Sequence, residues 1–382
     1  MQGLPAGWNA DPARAALEHE LIFLRTWQFV CHIADLPAPG TAARFDCAGR
    51  SAFVLQTRSG AIAAFVNACR HRGARLVDGD AHTGLAYCID GRVRCPYHGW
   101  TYDEAGALAF IPGTQDFAGL DREAHALHAL HVAQWHGLVF VAFGKPVQAL
   151  DAMLAPLAAA WPDSAALRRL HEPRTLQVPA DWKLTCQHLL DSAHLDVARP
   201  QLQARVFAAA QFTIAGMHAL SATAPLANAG NAPWSARTYQ LLLPGDAAAP
   251  RADYLYLWPN LLLCHAPDGL AVTQVLPESA GCSRLREIRY GLPDGSRTTR
   301  LLRYAYERVR RRARHDDLRV LERAQAGARS LDPAMVGPID AREFALHWFV
   351  ERYHAALAGA GSRIKLNARR HRVAKSGEPA TT

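Results

Sequence analysis

The sequence has no apolar run of membrane-spanning length, and its opening, MQGLPAGWNADPARAALEHE, lacks the basic stretch followed by an apolar one that a secretory leader needs. A cytoplasmic protein that stays off membranes is therefore expected. There is no internal repeat and no long span of disorder-prone composition. Cys31, Cys47, Cys88, Cys186, Cys264 and Cys282 are scattered without a pairing pattern, which reads as small buried hydrophobes of a reducing compartment rather than a disulfide framework. No nucleic-acid-binding motif accompanies the net charge of +8, whose excess gathers in Arg308–Arg314 and in the basic tail 361–382. Charge without a motif gives no reason to expect a nucleic-acid partner. What remains is a chain of 382 residues, 50% hydrophobic and 20% charged, the balance of a globular protein and longer than one core usually covers.

The stretch from Asn67 to Trp100, NACRHRGARLVDGDAHTGLAYCIDGRVRCPYHGW, concentrates the chemistry. It holds two short pairs, Cys69/His71 and Cys95/His98, each able to present a thiolate and an imidazole from one tight loop. Two such loops together supply the four donors of a Cys2His2 zinc site. They also supply those of a [2Fe-2S] cluster with two cysteines on one iron and two histidines on the other. Glycines follow both pairs, at Gly73 and Gly99, and Pro96 sits inside the second, as expected where backbone turns close to a bound group. A zinc finger more often sets its histidines on a helix, whereas here the second loop runs into WTYDEAG, a strand and a turn.

Around this stretch the chain divides in two. PARAALEHELIFLRTWQFVCH, opened by Asp11 before Pro12, has apolar residues at helical spacing and is expected to be one amphipathic helix ended by Pro37 and Gly40. Short β-rich runs from Arg44 to Cys69 and from His131 to Pro146 bound a small antiparallel domain over residues 40–150. The Ala-rich DAMLAPLAAAWPDSAA then crosses to a second domain, formed by residues 1–39 and 151–360. Its strands are SARTYQLLLP, ADYLYLWPNLLLCHAP, GLAVTQVLPES and REIRYGLP, and its helices WKLTCQHLLDSAHL and the long stretch from Thr298 to Ser330. Grouped rather than alternating elements indicate an α+β fold, an antiparallel sheet covered by helices. Phe207–Ser235, rich in Ala, Asn, Gly and Pro, reads as a long loop over a pocket, with Tyr254–Leu263 as a candidate pocket strand.

A second constellation lies in that domain. His188, Asp191 and His194 recur every three positions and so share one side of a helix, and Asp317 follows His315 and Asp316 in the long helix. Two histidines and a carboxylate make the facial triad of non-haem Fe(II) sites, although a set at this spacing also suits a solvated or hydrogen-bonded helix face.

CRHRG and CPYHGWTYDEAG resemble the Rieske signature of the ring-hydroxylating oxygenases. DWKLTCQHLLDSAHLDVARP and HDDLRVLERAQAG resemble the iron-binding segments of the same family, and with ELIFLRTWQFV the similarity runs along nearly the whole chain. The resemblance to the catalytic α subunits of Rieske non-haem iron oxygenases implies a Rieske domain beside a helix-grip-like catalytic domain. It implies a [2Fe-2S] cluster on Cys69, His71, Cys95 and His98, and a mononuclear Fe(II) bound by His194 and Asp317. Asp191 matches the acidic residue that links this iron to a neighbouring subunit's cluster, which implies a ring-shaped homotrimer or a hetero-oligomer with a homologous subunit. Electrons from NAD(P)H are expected through a reductase or ferredoxin, steered by basic surface, to activate O2 beside a small-molecule substrate. Mono- and dioxygenation both stay open; length and opening segment look more like the branch that hydroxylates or demethylates amines and other small molecules.

The chain departs from the family at one ligand. Where the family has its second iron-binding histidine this sequence has Arg199, always charged and no ligand for iron. Two positions nearby also differ, with Gln187 and His188 replacing a glutamate and an asparagine. A relocated triad of His188, His194 and Asp317 follows. The alternative is a degenerate subunit that binds no mononuclear iron and serves as an electron-transfer or assembly partner. In an active enzyme, Arg199 has instead the guanidinium fork to hold a substrate carboxylate.

Overall fold

The computed structural model describes residues 2–78, 88–89, 91–158, 161–162, 164–191, 210–225, 234–243, 250–293, 295–341 and 343–358. His194, Arg199 and the basic tail lie outside them.

The small sheets form where the sequence alternates. Ala42–Cys47, Arg50–Gln56 and Ile62–Val66 make one antiparallel sheet. Its first hairpin turns at Ala48 and Gly49, both with positive φ, and pairs Cys47 with Arg50 across them. Two left-handed residues match the right-handed twist of the flanking strands. A second sheet runs Cys88–Ile89, Arg92–Arg94, Thr101–Tyr102, Leu108–Phe110. The two meet over a shared core that contains Phe53, Phe65, Val93, Trp100 and Tyr102.

A third sheet sets His131–Trp135 and Leu138–Ala142 beside Gln28–His32. The expected single helix from Pro12 to His32 is therefore two elements, a helix over Pro12–Leu21 and a fully buried strand over Gln28–His32. The apolar spacing fitted both readings; pairing with Leu138–Ala142 decided it. The buried side chain of the helix is Glu18, not a leucine.

The large sheet has eight antiparallel strands. From Thr213–Gly216 it passes through Ala219–Pro225, Arg251–Leu257, Leu261–Ala266 and Gly269–Ser279 to Cys282–Gly291, which also pairs with Arg168–Arg169 and Arg174–Val178. The helix Trp182–Leu190 packs on Gly269–Ser279 and Cys282–Gly291, and against both the long helix Arg297–Ser330 and the helix Phe344–Ala358. This is the α+β arrangement expected. Two local expectations are corrected. Phe207–Ser235 is not one loop, because Thr213–Gly216 and Ala219–Pro225 are strands whose alternating small residues hid the pattern. SARTYQLLLP is not a strand: Trp234–Leu242 is a helix that buries Ser235, Ala236 and Tyr239 at helical spacing.

Candidate metal centres and the cavity between two helices

The first loop is closed by Cys69 N–H donating to Ala74 O (2.8 Å) and Gly73 N–H to Cys69 O (2.9 Å). The second repeats the pattern, with Cys95 N–H on Trp100 O (2.8 Å) and Gly99 N–H on Cys95 O (3.1 Å). Gly73 and Gly99 both have left-handed φ, 74° and 73°. At Gly99 a Cβ would also stand 3.0 Å from Pro112 Cγ. Asn67, which no motif singled out, fastens the first loop: its Oδ1 accepts from Leu76 and Val77 N–H, and its Nδ2 donates to Val77 O.

Cys69 and Cys95 are buried, and Cys69 Sγ lies 3.2 Å from the Tyr102 hydroxyl. The rings of His71 and His98 meet edge to face with centroids 4.7 Å apart, and Trp100 stacks on His71 at an angle of 9°. His71 Nδ1 is buried with no hydrogen-bond partner. Burial, with His98 and Arg72 alongside, lowers the His71 pKa and so favours the neutral ring, whose lone pair can bind a metal. Burial raises the Cys69 thiol, so metal binding there must displace a proton. Thus a thiol pair faces an imidazole pair, and among the described residues no three His, Cys, Asp or Glu side chains converge on a single ion. A binuclear cluster with two cysteines on one iron and two histidines on the other fits this donor set, and an orphaned imidazole nitrogen is what such a ligand looks like without its metal.

The second centre is built on the helix Trp182–Leu190. Its N-cap is Asp181, whose side chain accepts from Lys183 N–H. Beneath it Glu18 accepts from Trp182 Nε1 (2.7 Å), from Lys183 Nζ (2.9 Å to Oε1) and from the Tyr353 hydroxyl. Lys183 Nζ also meets Asp181 Oδ1 at 2.7 Å. Gln325 of the long helix accepts from Asp181 N–H and donates to Asn9 O, fixing the two helices in register. The helix ends at Leu190 and Asp191 is its C-cap, its N–H on Gln187 O (2.8 Å), so, contrary to expectation, Asp191 does not continue the helical face of His188; His194 lies outside the described residues.

The structure does bring His188 and Asp317 together, with His188 Nε2 2.7 Å from Asp317 Oδ1, although 129 residues separate them. Both line a cavity of about 230 Å3 between the two helices and the large sheet. Its walls include Tyr254 and Leu262 of the expected pocket strand, and also Glu287, Arg310 and Arg314, which no motif pointed to. An imidazole and a carboxylate, two of the donor types that a facial metal site uses, thus meet on the cavity wall.

A family model for the Rieske [2Fe-2S] domain matches residues 26–131, and one for the ring-hydroxylating α subunit catalytic domain matches residues 165–359. Glycine betaine monooxygenase oxygenase subunit of Chromohalobacter salexigens is 32% identical over 204 residues, 52% of this chain and 43% of that protein. Carnitine monooxygenase oxygenase subunit of Acinetobacter pittii is 26% identical over 186 residues, 48% of each chain. The matched stretch thus spans about half the length of these relatives. A crystal structure of a quaternary ammonium Rieske monooxygenase with L-carnitine superposes with a TM-score of 0.76 at 19% identity, covering 93% of this chain and 95% of that one. Naphthalene 1,2-dioxygenase with indole gives 0.73 at 18%, covering 93% and 92%. At such identities the likeness is one of fold.

Proposed function

The chain belongs to the Rieske ring-hydroxylating oxygenase α-subunit family, and from that premise we propose that it is a terminal oxygenase with its mononuclear iron held by a relocated triad of His188, His194 and Asp317. The observation that carries this is the 2.7 Å approach of His188 to Asp317 on the wall of a cavity. Histidine stands at 188 while arginine stands at 199, so an imidazole lost at one position of this segment is matched by one gained at another. Cys69, His71, Cys95 and His98 are proposed to hold the cluster, in a unit of residues 40–150 against a catalytic unit of 1–39 and 151–360. When bound, the cluster supplies single electrons and the mononuclear iron activates O2.

The chain's own residues do the rest. Trp100 and Tyr102 fix the orientation of His71 and Cys69. Glu18 and Lys183 hold the helix that carries His188, and Gln325 sets Asp317 opposite it. Asp191, at the helix end beside His188, is proposed to link the iron to a cluster histidine of a neighbouring subunit; a solved relative is described in terms of inter-subunit electron transfer. Electrons are proposed to come from NAD(P)H through a reductase or ferredoxin, and the substrate to be a small organic molecule that is hydroxylated or demethylated. Among the described residues no helix is long and apolar enough to cross a membrane. A cytoplasmic location is proposed because the five described cysteines other than Cys69 and Cys95 carry free thiols, as a reducing compartment keeps them.

Iron analysis tests the triad. About three irons per chain are expected, with His188→Ala losing the third iron and turnover. Arg199 favours the second reading, a subunit with a cluster and no mononuclear iron, which requires two irons per chain and a His188→Ala variant that matches the wild type in activity and assembly.

A further inference from the structure

Beyond His188 and Asp317, the cavity wall carries three ionised groups, Glu287, Arg310 and Arg314. Arg310 Nη2 donates to Glu287 Oε1 at 2.7 Å, and Arg314 Nε lies 2.6 Å from Oε2. Oε1 thus accepts a hydrogen bond, while Oε2 and Arg314 Nε face each other as an ion pair without hydrogen-bond alignment. The guanidiniums are not used up: among the described residues Glu287 is the carboxylate that Arg310 meets, and Arg314 reaches in addition only Glu307, at 3.7 Å. Glu307 is itself taken by Arg174. Two cations against this one carboxylate leave the polar end of the cavity with a surplus positive charge, and Arg314 Nε is buried there without a hydrogen bond. Water is a poor substitute for a counter-ion where side chains are this enclosed.

Most of the rest of the lining is apolar, with Val178, Leu262, Leu285 and Leu318 among it, and Thr185, Thr273, Tyr254 and Tyr306 add hydroxyls. Arg310, Arg314, Asp317 and Leu321 recur at helical spacing on the long helix, so charge and chemistry are laid out along one axis. At a rise of about 1.5 Å per residue, the arginines stand roughly 5–10 Å along the helix from Asp317. An anion seated on them places its far end beside His188 and Asp317. We infer that the cavity selects a small organic carboxylate, gripped at one end by Arg310 and Arg314, with an apolar body reaching towards the iron-binding pair; Glu287 is a positioning residue that holds the two guanidiniums in place. This rests on the cavity being the oxygenase's substrate site.

Calorimetric titration of the full-length protein, with and without added iron, tests it with three probes of one shape: 3-phenylpropionate, its primary amide, and 3-phenylpropyltrimethylammonium. The carboxylate is expected to bind at least tenfold more tightly than either counterpart. Arg310→Gln is expected to erase that preference, while Arg312→Gln, an exposed neighbour, keeps it. The inference is overturned when the amide or the ammonium binds as well as the carboxylate, when none of the three binds, or when a folded Arg310→Gln protein keeps the preference. The ranking on unaltered protein decides even where Arg310→Gln does not fold. Because binding is read without turnover, a wrong ligand set for the iron leaves this result standing, and a wrong charge preference leaves the iron count standing.

Discussion

Glu18 sits where an amphipathic helix was expected to bury leucine, and it answers three donors at once from Trp182, Lys183 and Tyr353. With both Glu18 and Lys183 fully buried, Glu18→Ala leaves the ammonium with Asp181 as its remaining carboxylate and the Trp182 and Tyr353 donors unpaired, and is expected to cost about 3 kcal/mol, read by urea or thermal unfolding. Gly99 carries a different burden. Its left-handed φ and the 3.0 Å approach to Pro112 mean that Gly99→Ala has to move the second ligand loop, at about 1–2 kcal/mol, and it is expected to lower iron and sulfide content at the cluster. For Glu287, burial on its own lifts the carboxyl, but Arg310 and Arg314 outweigh it and hold the pKa below the ordinary 4.5. A depressed folded-state pKa stabilises above the unfolded value and loses that contribution as pH falls through the folded one. The stability gap between wild type and Glu287→Gln is therefore expected to be full at pH 7 and to close as pH drops below about 4.5.

At the scale of elements, the site is two helices kept in register. Gln325 bonds Asp181, the N-cap of one, and, through Asn9, the chain's opening segment. Gln325→Ala is expected to weaken mononuclear iron binding by about tenfold while leaving the cluster's absorption unchanged, because it frees the helix of His188 to shift against that of Asp317. Which elements were legible in the sequence follows from where their signal is local. The cluster loops declare themselves, because four donors at short spacing with glycines behind them have few other uses. The long helix was legible from its periodicity, and Tyr254 and Leu262 from an apolar run. The strand Gln28–His32 and the helix Trp234–Leu242 were not, since each borrows its identity from a partner far along the chain. Glu287, Arg310 and Arg314 escaped for the same reason: an arginine in an RVRRRAR run looks like solvated surface until the sheet behind it supplies a buried carboxylate.

At the scale of the whole molecule, the cluster loops and the His188–Asp317 pair occupy different layers, joined by the sheet that contains Gln28–His32. Asn260 donates to Gln28, and Arg286 to Val30 O at 2.6 Å, so this sheet is tied to the large one. The proposed triad requires an iron beside His188 and Asp317 despite Arg199. Anomalous diffraction from crystals of the iron-loaded protein, collected at the iron edge, tests this. Two sites per chain are expected: a binuclear peak between Cys69/Cys95 and His71/His98, and a separate peak within bonding distance of His188 and Asp317. A map with the first peak and none beside His188 and Asp317 would contradict it.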